Sequence, residues 1–398
     1  MVLVKISQEN HKRRVEKVRK ILQSKNLKGM IFFNPKSLFY LTGFHHIPTE
    51  RPIALLVPTD GEIGMFIPEL EINHVKDKTP LITDIITYFE YPDEIHPMKH
   101  FAKALKERGF ANSAIAADAP GAPGYWGYKG ESLSEIIPKA DISILNEMIM
   151  DMRLIKDAEE IALIKESCKW GNLAHQLLQE YTHIGAAEIE VVNKACAEAS
   201  RTLIKALGPE FEPYGGTLSA RAGYRGQIGA GSAIPHATTG NIFFKKGDTL
   251  VTGASANIGG YNSELERTMF VGEPSEKQEK YFKIMLKAQN AALEKFGPNV
   301  KNADVDKAAR QVFKEEGVWD LVQHHTGHAI GLEGHERPFL DIGSKEIMKP
   351  GMVYTCEPGI YIHGFAGFRH SDTILITEDG NEMLTYYPRE LEPLIIYT

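Results

Sequence analysis

Three stretches in the second half of the chain decide the fold: GASANIGGYNSELERT (253–268), HHTGHAIGLEGHERP (324–338) and CEPGIYIHGFAGFRHSDTILIT (356–377). Each combines glycines with histidines or carboxylates. Glycine permits tight turns and close approach of the backbone, which a compact polar site requires. The rest of the chain is therefore organised around residues 253–371.

These motifs resemble the pita-bread family of M24-like proteins, which contains methionine aminopeptidase, aminopeptidase P, prolidase and creatinase. The resemblance is most specific for TGHAIGLEGHERP (326–338) joined to PGMVYTCEPGIY (350–361), because the order and spacing of the motifs agree together. It implies a C-terminal α+β pita-bread catalytic domain at 152–398. In that fold, helix pairs cover a curved antiparallel sheet.

The first half of the chain has an α/β pattern. Apolar residues at helical spacing predict a helix over 8–25, and GMIFF (29–33) predicts a buried strand. The segments 53–58 and 63–68 flank a turn and predict a hairpin-like pair. We therefore expect an N-terminal α/β domain at 1–151, of the creatinase and prolidase type.

Helix signals begin the second half. Asp157 can cap a long helix over 157–181, with glutamates in the first turn where the helix dipole favours negative charge. Further helices are expected over 186–207, 275–296 and 302–316. The sequence RLIKDAEEI (153–161) also resembles the opening of the pita-bread catalytic domain.

In the peptidases of the family, two divalent metals are held by Asp, Asp, His, Glu and Glu. The resemblance places these ligands at Gly253, Glu264, His328, Glu357 and Ser371. Glycine and serine supply no carboxylate, and bridging carboxylates are what a two-metal site needs. We therefore expect no metal cofactor. If one ion does bind, we expect Mn or Zn on Glu264, His328 and Glu357.

Creatinase, which resembles a pita-bread protein without its metal ligands, suggests the chemistry that remains. The predicted function is metal-independent hydrolysis of a C–N bond in a small amidine, guanidino or amide compound. His236 would be the general acid–base, since imidazole exchanges protons near neutral pH. Glu264 and Glu357 would orient a cationic substrate by charge-assisted hydrogen bonds. The residues expected to bind substrate are Arg51, His328, His335 and Arg337.

Simpler interpretations remain open for several of these residues. Glu264 could be a solvated carboxylate of a strand, and strand alternation places Glu266 on the same face. Arg267 could neutralise either acid. Glu357 could form a structural ion pair with Arg369. His328 could be a core histidine with ordinary hydrogen bonds, and His236 an ordinary loop residue.

Two other functions remain open as well. One is a metallopeptidase similar to Xaa-Pro dipeptidases or aminopeptidases, which would retain a metal on Glu264, His328 and Glu357. The other is a non-catalytic pita-bread protein that binds a partner. Loss of activity on altering His236 would argue against the second.

Composition limits the partners and the cellular location that can be expected for the protein. The chain has 398 residues and a net charge of −7, which argues against a nucleic-acid partner. Three widely spaced cysteines do not form a disulfide framework, so a reducing, cytoplasmic location is expected. No membrane span is expected. The resemblance to creatinase also implies a homodimer, in which Arg51 of one copy reaches the substrate of the other.

Overall fold

A computed structural model describes residues 2–214 and 216–397 of the chain. These residues form two compact units. The N-terminal unit is Ile6–Met152, and the C-terminal unit contains the described residues from Arg153 onward together with the first few of the chain. Among the described residues, no helix has both the length and the apolar character needed to cross a membrane.

The N-terminal unit is an α/β structure, as predicted. Its strands are β1 (Gly29–Phe32), β2 (Ala54–Pro58), β3 (Gly64–Pro68), β4 (Asp84–Tyr88), β5 (Ala114–Ala117) and β6 (Asp141–Ile144). Its helices are α1 (Gln8–Ser24), α2 (Pro35–Thr42), α3 (Ile72–Lys78), α4 (Pro97–Glu107) and α5 (Leu133–Ile136). The strands form one mixed sheet in the order β4-β3-β2-β1-β5-β6. The predicted hairpin is the antiparallel pair β2 and β3.

The C-terminal unit combines four long helices with several small sheets. The next helices in the chain are α6 (Met148–Leu154), α7 (Ala158–Tyr181), α8 (Glu188–Leu207), α9 (Glu276–Leu293) and α10 (Asn302–Glu315). The strands are β7 (Ala220–Gly223), β8 (Thr249–Val251), β9 (Gly253–Ile258), β10 (Tyr261–Asn262), β11 (Thr268–Val271), β12 (Gly327–Ala329), β13 (Glu336–Leu340), β14 (Val353–Cys356), β15 (Gly359–Ile362), β16 (Ala366–Arg369), β17 (Asp372–Ile376), β18 (Asn381–Met383) and β19 (Ile395–Ile396).

The helices of this unit pack in pairs against antiparallel strands. The largest sheet has the order β13-β12-β14-β17-β18, and a second sheet has the order β10-β9-β7. Helices α7 and α8 pack together and cover β7, while α7 also covers β9. Helices α9 and α10 form the other pair, with α9 on β16 and α10 on β13. This is the arrangement expected for the second half of the chain.

The start of α7 is tied to the strands that carry the site. Asp157 caps the helix, as predicted, by accepting hydrogen bonds from the backbone N–H groups of Glu159 and Glu160 at 2.9 and 3.0 Å. The side chain of Glu160 accepts in return from the Asp157 N–H. Its other oxygen accepts from the Tyr261 hydroxyl at 2.8 Å. The cap therefore also fixes β10, which ends two residues before Glu264 in the chain.

A fully buried arginine joins the central segments of the C-terminal unit. Arg267 Nη2 donates to Asp372 Oδ1 at 2.8 Å, and both side chains have no exposed area. Its Nη1 donates to the carbonyls of Glu266 and Ser371 at 2.7 and 2.9 Å. Its Nε donates to the Pro388 carbonyl at 2.7 Å. Arg267 therefore pairs with Asp372 and does not neutralise Glu264 or Glu266.

Replacing Arg267 with methionine should lower the free energy of unfolding by about 3–5 kcal/mol, the usual effect of removing one partner of a buried ion pair. Methionine fills part of the space but leaves the Asp372 carboxylate without its main cation. Urea denaturation followed by tryptophan fluorescence would measure the loss. Arg201→Met, at an exposed position of α8, is the control and should change stability by less than about 0.5 kcal/mol. Equal stabilities of the two variants would contradict the role given to Arg267.

Candidate active site

Three of the predicted site residues meet at strand ends of the C-terminal unit. His328 lies in β12, Glu357 directly follows β14, and Glu264 lies between β10 and β11. The Nε2 of His328 is 3.2 Å from Oε1 of Glu357 and 3.9 Å from Oε2 of Glu264. The His328 side chain is fully buried, whereas those of Glu357 and Glu264 are 13% and 19% exposed. The cluster is therefore partly open to solvent on its carboxylate side.

The backbone fixes the orientation of His328. Its Nδ1 lies 3.0 Å from the carbonyl oxygen of Ala329, so this nitrogen carries the proton and donates it. Nε2 is thereby turned toward the two carboxylates. On the other side, the ring of His335 stacks on His328 with centroids 3.7 Å apart. A neutral Nε2 facing two carboxylates places acceptor atoms against one another, so a proton or a metal ion is needed between them.

The pKa values of Glu264, Glu357 and His328 reflect this shortage of positive charge. Burial and the charge of Glu357 raise the pKa of Glu264 to about 8. Burial also opposes ionisation of Glu357, but the approach of His328 and the charge of Arg369 outweigh it and lower the pKa to about 2. Burial opposes a charged His328 as well, yet the two glutamates raise its pKa to about 9. Without a metal ion, His328 and Glu357 form an ion pair near neutral pH and Glu264 holds a proton.

Gly253 and Ser371, at the two family ligand positions that carry no carboxylate in this chain, have different surroundings. Gly253 begins β9 opposite Gly223 of β7. A Cβ at position 253 would lie 3.6 Å from Oε1 of Glu266. The Ser371 hydroxyl donates to Oε1 of Glu264 at 2.7 Å. Ser371 therefore orients the Glu264 carboxylate, and neither position adds a carboxylate of its own.

A second group of charged side chains, which sequence reasoning did not assign to the site, surrounds Glu266. Arg369 donates from Nε and Nη2 to the two oxygens of this carboxylate, with Nη2 at 2.7 Å. Its Nη1 donates to the Tyr361 hydroxyl at 3.0 Å, and that hydroxyl is 2.8 Å from Nε2 of His324. The ion pair anticipated between Arg369 and Glu357 is the longer contact, at 4.0 Å. The only available signal was the position of Glu266 two residues after Glu264.

The other residues that were predicted to contact the substrate lie in different parts of the structure. His236 is exposed in the loop after the 3-10 helix Gly229–Ala233. Burial and the neighbouring histidines, His236 among them, lower the pKa of His335. Arg337 is partly buried in β13. In the N-terminal unit, Arg51 forms ion pairs of 2.6 Å with two carboxylates, Glu50 and Glu90.

A cavity of the size that holds a small molecule adjoins the cluster on the side of Glu264. A cavity of about 560 Å³ is lined by Gly253, Glu264, Glu266 and Arg225, among others. Two groups of side chains could each hold a metal ion, because the ligand atoms within each group lie within 4.8 Å of one another. The first group is Glu264, His328 and His335, and the second is Glu264, Glu266 and Glu357.

Comparison with known proteins finds relatives along nearly the whole chain. Residues 162–378 match the profile of metallopeptidase family M24, and residues 14–155 match the Creatinase/Prolidase N-terminal domain. The chain is 31% identical over 382 residues to the Xaa-Pro dipeptidase of Pyrococcus furiosus, covering 96% of this chain and 99% of that protein. The solved Xaa-Pro dipeptidase from Bacillus anthracis gives a TM-score of 0.80 at 26% identity, covering 97% and 100%. The prolidase from Pyrococcus horikoshii gives 0.78 at 27% identity, covering 95% and 99%.

These matches confirm the family resemblance, the α/β and α+β pita-bread architecture, and the prediction that the chain is a hydrolase. They contradict the predicted metal-independent, creatinase-like hydrolysis, because the family is one of metallopeptidases and the relatives are Xaa-Pro dipeptidases. The expected absence of a cofactor is wrong too, since Glu264, His328 and His335 converge in a group that can hold a metal ion. The prediction gave more weight to the lost positions, Gly253 and Ser371, than to the donors that remain, and the alternative of a metallopeptidase agrees better with these findings.

The metal-free protein should lose stability as pH rises from about 7 to 9. Below about pH 6.5 buried histidines act in the opposite direction, because burial lowers the pKa of His46 to about 4 and that of His175 to about 3. The folded-state pKa of Glu264, about 8, lies above its ordinary 4.5, so its contribution is complete below pH 4.5 and is lost as pH rises through 8. The pKa of His328, about 9 against 6.5, acts in the same direction. Thermal unfolding in the presence of a chelator should show this loss of stability. The Tm should fall by roughly 2–4 °C for each kcal/mol by which the free energy of unfolding decreases.

Glu264→Gln provides the control for this pH dependence. The amide does not titrate, and it removes one of the charges that raise the pKa of His328, so the decline in Tm should become clearly shallower. A wild-type Tm that stays level or rises over the same pH range would show that the cluster is not short of positive charge.

Proposed function

This chain belongs to metallopeptidase family M24, and we propose that it hydrolyses small Xaa-Pro peptides with one divalent metal ion in its site. The observation that carries the proposal is the arrangement of His328. Its Nδ1 is occupied by the Ala329 carbonyl while Nε2 faces Glu357 and Glu264. A histidine whose second nitrogen is held by a backbone carbonyl in this way is oriented as metal-binding histidines are.

The donor set fits one ion of the kind that binds nitrogen and oxygen together. Glu264, His328 and Glu357 offer two carboxylates and an imidazole, and His335 stands beside them as an exposed further donor. Such mixed donors suit Zn or Mn. A divalent ion would also neutralise the two carboxylates, which the side chains of the cluster do only by protonation. A pair of ions is not supported, because Gly253 and Ser371 lack carboxylates.

The ion, when bound, would supply Lewis-acid polarisation of the scissile carbonyl. The residues of the chain would bind and orient the peptide around it. His335 and His236 are both exposed, so their imidazoles can reach a substrate and donate or accept hydrogen bonds. Arg337 is suited to the C-terminal carboxylate of a short peptide, since guanidinium pairs with carboxylate through two parallel hydrogen bonds. Ser371 holds Oε1 of Glu264 and so keeps that carboxylate in one orientation.

The proposal also covers the oligomeric state of the enzyme and its location in the cell. We propose a homodimer, with Arg51 of one copy contributing to the substrate site of the other. Arg51 carries its charge on a surface of the N-terminal unit, where Glu50 and Glu90 hold the guanidinium in place. A reducing, cytoplasmic location agrees with three buried cysteines that are all free thiols.

Chelator treatment should abolish hydrolysis of Xaa-Pro dipeptides, and Mn2+ or Zn2+ should restore it. His328→Ala should lower both metal affinity and kcat/KM by at least about 10²-fold, because loss of even an outer partner of a ligand costs 10–100-fold. The measurements are proline release and metal titration of the same preparations. His183→Ala, an exposed histidine outside the cluster, is the matched control and should behave as wild type. Full activity in chelator, or no cleavage of any Xaa-Pro peptide with metal present, would refute the proposal.

A further inference from the structure

The second group of potential ligands already contains a cation. Glu264, Glu266 and Glu357 bring carboxylate oxygens within 4.8 Å of one another. Arg369 donates to both oxygens of Glu266, and its Nε lies 4.0 Å from Oε2 of Glu357. A guanidinium therefore lies beside two of the three carboxylates that could otherwise share a metal ion.

The guanidinium is fixed from several directions. Arg369 is 3% exposed and Glu266 is 5% exposed, so their bidentate pair is shielded from water. Nη1 of Arg369 donates to the Tyr361 hydroxyl at 3.0 Å. The backbone of Arg369 is held by Thr268, whose hydroxyl accepts from its N–H at 2.9 Å and donates to its carbonyl at 3.0 Å. The charge cannot move aside without breaking most of these bonds.

A metal ion at this position would have to compete with that pair. It would need an oxygen of Glu266, so it would break one of the two hydrogen bonds of the buried pair and place its own charge beside the guanidinium, and both changes are unfavourable. A Cβ at position 253 would be in ordinary van der Waals contact with Oε1 of Glu266, at 3.6 Å, so this carboxylate lies next to the position that carries no side chain. The carboxylate of Glu266 is thus already paired with a cation that it would have to share with a metal ion.

We infer that the Arg369 guanidinium, held by Glu266, is the permanent second cation of the active site, so that the site takes one exchangeable metal ion on the His328 side. Arg369 is a positioning residue, since it is buried and acts through Glu266 and Glu357. The inference rests on the metal site of the proposed function. An arginine cannot be removed by a chelator and does not titrate in the physiological range, so chelation removes one cation of the site and leaves the other.

The test is the number of Mn2+ ions bound per chain, measured by calorimetric titration of the chelator-treated full-length protein and checked by elemental analysis. Wild type should bind one. Arg369→Gln should bind two, because Glu266 then keeps only the exposed guanidinium of Arg225, 3.6 Å from its Oε1, and can share an ion with Glu264 and Glu357. The control is the double variant Glu266→Gln/Arg369→Gln, which lacks both the guanidinium and the third carboxylate and should bind one.

A folding defect does not remove the test. If Arg369→Gln folds only with Mn2+, the ion count is made on the protein refolded with it. If it does not fold at all, the single variant Glu266→Gln decides. Its guanidinium is free to turn to Glu357, which should weaken Mn2+ binding by at least about tenfold, the scale of losing an outer-shell partner. Unchanged affinity in that variant would overturn the inference.

The outcomes separate this inference from the proposed function. Two ions in wild type, or no additional ion in folded Arg369→Gln, would overturn the role of Arg369 and leave a metallopeptidase. No ion in wild type would overturn the proposed metal site. In that case an ion gained by Arg369→Gln, and not by the double variant, would still support the guanidinium as the occupant of the second position.

Discussion

The buried guanidinium of Arg267 is the constraint on which the active site depends. Its Nη1 binds the carbonyls of Glu266 and Ser371 at once, and these residues belong to segments about a hundred positions apart in the chain. Its Nη2 binds the carboxylate of Asp372. Because an unpaired charge in the interior is costly, the two segments cannot separate locally. The hydroxyl of Ser371 is thereby kept within reach of Glu264, and Glu266 within reach of Arg369.

Charge balance explains the composition of the cluster. The family ligand set of two aspartates, two glutamates and a histidine carries four negative charges, which two divalent ions neutralise. In this chain Glu264 and Glu357 carry two, which a single divalent ion neutralises. Glu266 adds a third carboxylate, but Arg369 accompanies it as a bidentate partner. If the site binds one ion, as proposed, the loss of carboxylates at Gly253 and Ser371 matches the loss of one ion and leaves the remaining charges balanced.

The sequence allowed prediction of most of the fold and of the residues with local signals. Asp157 was recognisable as a cap because the capping residue and its glutamates are adjacent in the chain. The family resemblance of the motifs singled out Glu264, His328 and Glu357, which lie close together in the structure. The pairing of Glu266 with Arg369 could not be predicted, since it joins residues 103 positions apart and depends on how β16 lies beside the segment before β11. For the same reason the sequence left open whether Arg267 neutralises Glu264 or Glu266, whereas its partner is Asp372, which lies 105 positions further along the chain.

The prediction that no metal cofactor binds was wrong for a physical reason. Counting the missing ligands treats each carboxylate as an independent contribution, whereas the charges of a buried site are coupled through a low dielectric. What decides whether an ion binds is the charge left uncompensated by the groups that remain. Around His328, two carboxylates face one nitrogen whose own proton is engaged by Ala329. Around Glu266, a guanidinium already supplies the positive charge. The same stretch of sequence thus favours a metal ion at one position and excludes it at the next, and only the arrangement of the cations distinguishes them.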